Sequence, residues 1–366
     1  MRAIDLKIVD VAFGGNGVGR QNGKAVFVPY VIDGETVSAE IVREKKHFAA
    51  AELIEVRESS AHRVAAPCPY FGRCGGCSYQ HIDYTHQLAI KWRQVRDVLQ
   101  RVGKLEEVPM RPIISSPLSY AYRNRITVHA LDGVIGFFRR ESHRLIDIEC
   151  CPISLDEVNR ALADLRAQRV RDGHYTLRAT TGPRIFSQAN DAVANALRDL
   201  ISQAIPRDQE LLIDAYCGAG FFSKGLLDRF ERVIGIDWDR FAIDAAMENK
   251  SEKETYIAGD IETELAKAAR SGGLETAEYT DRRLGTRRSL VMIVDPPAIG
   301  LTAGVRRMIL DASPATLIYV SCNPATLARD LNDLQQGFTI ESVTPLDMFP
   351  QTAEIEVAVH LRAILP

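Results

Sequence analysis

Three stretches of this 366-residue sequence carry side chains suited to chemistry. In Val320-Ser321-Cys322-Asn323-Pro324, Cys322 closes an apolar run and precedes the helical pattern ATLARDL. A lone cysteine more often packs as a small hydrophobe. One standing where a strand gives way to a helix meets the helix N-terminal dipole, which favours the thiolate. In Asp347-Met348-Phe349-Pro350-Gln351-Thr352-Ala353-Glu354-Ile355-Glu356, an alternating strand would put Glu354 and Glu356 on one side. They form either a solvated face or a place for one general base. The third stretch is Cys68-x5-Cys74-x2-Cys77, with Cys150 and Cys151 farther along. Three thiolates within ten residues and a fourth from afar make a four-thiolate site. That donor set suits zinc and an iron–sulfur cluster about equally. With Cys217 and Cys322 the seven cysteines are odd in number and clustered, which favours metal or catalysis over disulfides in a reducing compartment.

A ligand-binding pattern lies between the second and third of these. The apolar run ending in 214–220 (DAYCGAG) precedes a helical segment, and Gly218 and Gly220 let backbone approach a ligand at a helix N-terminus. Asp237 ends the next apolar run, where an acid can hydrogen-bond a ribose. Asp260 and Asp295 end the third and fourth. A dinucleotide fingerprint needs a further glycine where this chain has Ser223. The pattern therefore points to a nucleoside without a pyrophosphate, and S-adenosylmethionine fits. Asp295-Pro296-Pro297 reads as an extended, rigid turn.

The elements that must position these groups divide the chain in three. Residues 1–57 alternate β-branched residues between Gly-rich and Asp-Gly turns, the pattern of a small five-stranded OB-type β-barrel, a fold that often binds oligonucleotides. Residues 58–182 read as a middle α+β domain. It contains a Cys/Gly/Pro-rich loop, a helix over 83–103 with a stripe at Leu88, Trp92, Val95 and Leu99, a helix near 154–171 and a strand near Tyr175. The helix over 83–103 is expected to pack on the C-terminal domain. Residues 183–366 alternate helices with buried strands and end in an antiparallel pair, the grammar of an α/β doubly wound, Rossmann-like sheet. The polar insert 272–289 reads as a mobile surface loop. Composition agrees with a globular chain: 46% hydrophobic, 25% charged and a net charge of −3. Residues 86–145 carry eleven Lys or Arg against five Asp or Glu, a local excess able to attract phosphates. No apolar run is long enough to span a membrane and the N-terminus lacks a secretory layout, so a cytoplasmic protein without membrane partners is expected.

Together these motifs resemble, over nearly the full length, the RNA uracil-C5 (5-methyluridine) methyltransferases. The barrel is similar to that family's TRAM domain, and SCNPATLARDL is similar to the segment carrying its nucleophilic cysteine, here Cys322. DMFPQTAEIE resembles the segment ending in the proton-accepting glutamate, which singles out Glu356. The methyl-donor set implied is Gln188 (in FSQAN), Asp214, Tyr216, Gly218, Gly220, Phe221, Asp237, Asp260 and Asp295. The cysteine motif resembles the family's [4Fe–4S] site, with Cys68, Cys74, Cys77 and Cys151 as ligands and Cys150 as the spare; zinc is the alternative. The resemblance implies methylation of C5 of a flipped uridine in tRNA or 23S-type rRNA. Cytosine-C5 enzymes carry an extra cysteine beside the Asp-Pro motif, where this chain has Pro-Pro-Ala, which favours uracil. Departures are Ala298 for the usual Arg, Gln351 and Glu354 for usual histidines, and Asp237 for the commoner Glu. They bear on substrate range and rate, and leave a catalytically silent RNA-binding or RNA-folding protein as the competing reading.

Overall fold

The computed structural model describes residues 2–140, 142–179, 188–271 and 290–364. The insert 272–289, and residues 186 and 187 of the FSQAN segment, lie outside the described residues.

Strands β1 (Arg2–Val11), β2 (Asn16–Gln21), β3 (Lys24–Pro29), β4 (Thr36–Glu44) and β5 (Phe48–Glu58) close a barrel in the order β1-β2-β3-β5-β4. Strands β3 and β5 run parallel and the other neighbours antiparallel. Alternation sends Ile4, Leu6 and Ile8 inward, and each is buried. Gly19 has to be glycine, because a Cβ there would lie 2.4 Å from Leu6 Cγ.

Helix α1 (Tyr84–Arg101) starts at Asp83, whose carboxylate caps the His86 N–H at 3.0 Å. Its buried face is only in part the expected one, Val95 and Leu99 of the stripe being buried. Gln87, Ile90, Lys91, Gln94, Val95 and Leu99 are buried, while Leu88 and Trp92 are only half-buried. The helix is enclosed on two sides. Val95 and Leu99 join the core under the C-terminal sheet, and Gln94 donates to the barrel carbonyls Val11 and Ala12 at 2.8 and 2.9 Å. The following extended segment also joins that sheet, through Arg111 N–H to Val343 O (2.8 Å) and Asp347 N–H to Ile114 O (2.8 Å). This covers an otherwise open sheet edge.

Strands β6 (Arg125–Leu131), β7 (Val134–Phe138) and β8 (Leu145–Asp147), helix α2 (Asp156–Arg166) and strand β9 (Gly173–Arg178) form the middle unit, with sheet order β8-β7-β6-β9. Val158 and Leu162 of α2 pack on Ile126, Val128 and Ile135. The helix stops short of the expected residue 171. The polar run after Arg166 offers no apolar stripe, and the Arg166 side chain turns back to Asp147.

The C-terminal unit contains α3 (Asp191–Ala204), β10 (Gln209–Ala215), α4 (Phe221–Gly225), β11 (Phe230–Asp237), α5 (Arg240–Met247), β12 (Glu254–Ala258), α6 (Ile261–Ser271) and β13 (Leu290–Val294). It continues with α7 (Ala303–Ala312), β14 (Thr316–Ser321), α8 (Pro324–Leu334), β15 (Phe338–Leu346) and β16 (Glu356–Ala363). The seven strands run β12-β11-β10-β13-β14-β16-β15. Strands β10 to β14 are parallel, and β16 is antiparallel to both neighbours. Alternate residues serve the two faces: Leu211, Ile213 and Ala215 enter one core and Leu212 the other. Each fully buried Leu or Ile contributes about 1.5–3 kcal/mol of transfer free energy. The helical segment after the glycine loop breaks at Gly225 into α4 and a short 3-10 turn at Leu227–Arg229. A Cβ at Gly225 would lie 2.4 Å from Arg198 Cδ.

Candidate active site

Cys322 follows the last residue of β14, and register fixes its neighbours. Ser321 pairs with Val357 across the antiparallel ladder, so the preceding residue of β16, Glu356, lies beside Cys322. Asp295 follows Val294, which pairs with Tyr319 of β14 and Ala215 of β10. Thiol, glutamate and aspartate therefore share the carboxyl edge of the parallel strands, although Cys322 and Glu356 are 34 residues apart in sequence. Glu356 is buried and Cys322 exposed, while Glu354 is exposed and precedes the strand, so period-two alternation does not reach back to it.

Local hydrogen bonds make this edge rigid. Asn323 caps α8 by accepting the Ala325 N–H (3.0 Å), and its side-chain amide donates to Ala298 O (3.0 Å). Thr326 Oγ1 donates to the same carbonyl at 3.0 Å. Arg329 donates to Ile299 O and Leu301 O at 3.0 and 3.2 Å. The turn after Asp295 is thus held through its backbone, whatever side chain stands at Ala298. Gly300 (φ +75°) is required there, since a Cβ would lie 2.5 Å from Asp330 Oδ2.

The electrostatics depart from the sequence expectation. Partial burial, then the Glu356 and Asp295 carboxylates, push the Cys322 thiol up to about 11. Glu356 is itself raised well above the usual carboxylate range by burial, then by Asp295 and Glu354. Asp295 is raised by desolvation and by Asp214 and Asp237.

The glycine loop lies at the same edge. Tyr216 (φ +66°), Gly218 (φ +53°) and Gly220 (φ +87°) are left-handed. Asp237 accepts the Gly218 and Asp239 N–H groups, both at 2.8 Å, which ties the loop to the end of β11. Asp214 accepts the Ser223 N–H at 2.9 Å, and burial pushes it up to about 7; its Oδ1 has no hydrogen-bond partner among the described residues. Asp260 is exposed and caps α6 by accepting the Thr263 N–H and hydroxyl at 2.9 and 2.8 Å. Phe221 opens α4 against Phe222. Gln188 is half-buried, and its carbonyl accepts the Asn124 side chain at 2.9 Å. Trp238 and Phe241, 73% and 80% exposed beside Asp237, were not singled out by motif.

Cys68, Cys74, Cys77 and Cys151 are brought within electrostatic reach of one another. Burial comes first in raising the Cys68, Cys74 and Cys77 thiols, with Cys77 reaching about 12, and Cys151 adds to each. The Gly76 N–H points to Cys74 Sγ at 3.4 Å. The Gln80 side chain is buried beside Cys68 and Cys77, and its Nε2 donor has no partner among the described residues. One N–H at a sulfur and a buried, unpartnered amide donor beside two other thiols are the kind of partners that ligated thiolates take. Among the described residues, no group of three or more His, Cys, Asp or Glu is arranged to hold a metal ion.

A set of residues the motifs missed clamps the turn between β15 and β16. Lys91, fully buried, donates to Asp347 Oδ1 at 2.6 Å and Phe349 O at 3.0 Å. Tyr122 donates to Pro350 O at 3.0 Å. The Ser78 and Tyr79 N–H groups, next after Cys77, donate to Gln351 O at 3.1 and 2.9 Å. The available signal was the polar set Gln87, Lys91 and Gln94 recurring at helical spacing beside the apolar Ile90, Val95 and Leu99.

With this geometry in place, a family profile described as tRNA (Uracil-5-)-methyltransferase matches residues 140–364, well over half of the chain. The chain belongs to the tRNA (uracil-5-)-methyltransferase family. It is an enzyme, an RNA methyltransferase of the uracil-C5 class, and its barrel (residues 2–54) matches the TRAM domain. An uncharacterized RNA methyltransferase of Protochlamydia amoebophila is 29% identical, the match covering 99% of this chain and 98% of that one. One from Bdellovibrio bacteriovorus is 30% identical, covering 98% and 95%. The solved Pyrococcus abyssi tRNA (uracil-54, C5)-methyltransferase, in complex with S-adenosyl-L-homocysteine, shares the fold with a TM-score of 0.70 at 22% identity, covering 98% of this chain and 100% of that one. No helix among the described residues is long and apolar enough to cross a membrane.

Proposed function

We propose that this family member methylates C5 of a flipped uridine in tRNA or large-subunit rRNA in the cytoplasm, with S-adenosylmethionine as donor, through a covalent Cys322 adduct. The supporting observation is the register that sets Cys322 beside Glu356 at the strand edge facing the glycine loop. Uracil C5 is too weak a nucleophile to take a methyl group unaided. Addition of the Cys322 thiolate to C6 gives an enolate whose electron-rich C5 can accept methyl. Glu356 then removes the C5 proton, the electron pair restores the C5–C6 double bond, and sulfur leaves as thiolate. Extruding the base costs least from a single-stranded loop.

S-adenosylmethionine, when bound, supplies a methyl sulfonium and leaves as S-adenosylhomocysteine. Asp237 would hold its ribose, and Tyr216, Gly218, Gly220 and Phe221 the loop around it, with Gln188, Asp214, Asp260 and Asp295 completing the pocket. Its positive charge would sit near Asp295, Asp214 and Glu356, acids raised first by burial and then by neighbouring carboxylates, and a cation favours their charged forms. Cys68, Cys74, Cys77 and Cys151 would hold a [4Fe–4S] cluster, with zinc the alternative. Its service is to cross-link a Gly/Pro loop, since methyl transfer needs no electrons. Cys322→Ala should bind donor and RNA yet transfer no labelled methyl group; full transfer by that variant would refute the proposal.

A further inference from the structure

The Glu356 base stands at the end of a turn that begins at Asp347, and one side chain from a distant helix meets that turn at its most constrained residue. Gln351 is 2% exposed and has φ +70°, a left-handed conformation unusual for a residue with a Cβ. Gln87 of α1, 0% exposed, accepts the Gln351 N–H on Oε1 at 3.1 Å and donates from Nε2 to Gln351 Oε1 at 3.0 Å. Its Nε2 also reaches Ile82 O at 2.8 Å and Tyr79 O at 3.2 Å. The amide can face only one way: a backbone N–H requires the oxygen, and backbone carbonyls require the nitrogen.

Around this pair the turn is hydrogen-bonded nearly residue by residue. Asp347 and Phe349 are held by Lys91, Pro350 by Tyr122, and the Gln351 carbonyl by Ser78 and Tyr79. Thr352 Oγ1 donates to Phe349 O at 2.8 Å and accepts the Glu354 N–H at 3.2 Å. Strand β16 then starts at Glu356, which pairs with Leu346 on the far side of the turn. Gln87 is thus the side chain that holds the strained corner, and its hydrogen-bond partners Tyr79, Ile82 and Gln351 lie outside the proposed catalytic and donor-binding residues.

We propose that Gln87 is a positioning residue for the final step of the reaction, acting through Gln351 to fix the turn that presents Glu356. The inference rests on the proposed covalent mechanism, and it makes a statement that a purely structural role does not. A misplaced base leaves thiolate addition and methyl transfer intact. It slows only the step in which the C5 proton passes to Glu356 and the Cys322 sulfur is expelled. The methylated RNA–protein adduct should therefore accumulate. Positional errors near 1 Å cost on the order of 100-fold in rate, so release should slow by roughly 10- to 100-fold.

The test incubates full-length wild type, Gln87→Leu and Glu356→Gln with donor and total RNA, and resolves covalent RNA–protein adducts on denaturing gels over time. Donor affinity and thermal melting are measured alongside. Glu356→Gln should trap the adduct, and Gln87→Leu should trap it with adduct-formation rate and donor affinity near wild type. Gln351→Met reports the same contact from the other partner, should Gln87→Leu fold poorly. A double variant no worse than either single places both residues in one unit. If Glu356→Gln traps adduct while Gln87→Leu and Gln351→Met release it at the wild-type rate, or slow formation and release equally, the positioning role is overturned and the mechanism stands. If Glu356→Gln traps none, the base assignment falls and the proposal with it.

Discussion

Replacing Lys91 with Met tests the clamp on the catalytic turn most severely, because the partner it abandons has nowhere to go. Lys91 and Asp347 are both 0% exposed, and Asp347 Oδ2 already lacks a hydrogen-bond partner among the described residues. Burial pulls the Lys91 ammonium below its usual range while Asp347 pulls it back up, so the pair is a costly one to bury. Lys91→Met leaves the Asp347 carboxylate buried with neither oxygen paired to a cation, and stranding one member of a buried pair in this way costs about 3–5 kcal/mol. Lys91→Met/Asp347→Leu should recover most of the loss, because Phe349 O keeps the Thr352 hydroxyl as a donor. Urea unfolding followed by tryptophan fluorescence suits the measurement. The half-buried Trp92 sits on α1 with its indole bonded to Arg111 O at 2.9 Å, and Trp238, the other tryptophan, is already 73% exposed. A loss below about 1 kcal/mol in Lys91→Met, or a double variant no more stable than the single one, would refute the reasoning.

Three further outcomes are expected. Because the Cys322 thiol lies near 11, single-turnover adduct formation should rise about tenfold per pH unit between pH 7 and 9; a flat profile would mean the thiolate is already formed. Iron and sulfide content of protein purified without oxygen should survive Cys150→Ala and collapse in Cys151→Ala; the reverse pattern would reassign the fourth ligand. A Cβ at Gly235 would lie 2.5 Å from Tyr256 Cδ1 and 2.9 Å from Cys217 Sγ, so Gly235→Ala should cost about 1–3 kcal/mol of stability and weaken donor binding, read by melting and calorimetry.

The parts of the site legible in the sequence are those whose signal is local. Cys322 announces itself because strand, cap and helix follow one another in one string: Ser321 bonds Asn323, Asn323 caps α8, and Pro324 occupies the first turn. The parallel sheet was legible because strands covered on both faces must be apolar throughout. Helix α1 was visible as a helix, but only the Val95 and Leu99 half of its expected stripe is buried. Helical spacing assumes one apolar partner, whereas α1 meets both the barrel and the turn before Glu356, and its glutamines and lysine are buried because those two surfaces supply polar partners.

The amino-acid order by itself determined the three kinds of domain, the thiol, the glycine loop and the four cysteines, because turns, caps and periodicity act over a few residues. What only the tertiary structure decided is the company these groups keep. Lys91 meets Asp347 across 256 positions and Gln87 meets Gln351 across 264. The thiol's raised pKa comes first from burial at the strand edge and then from carboxylates delivered by other strands. Burial and Coulomb interactions depend on distance in space, and local pattern carries no record of which distant segment will arrive.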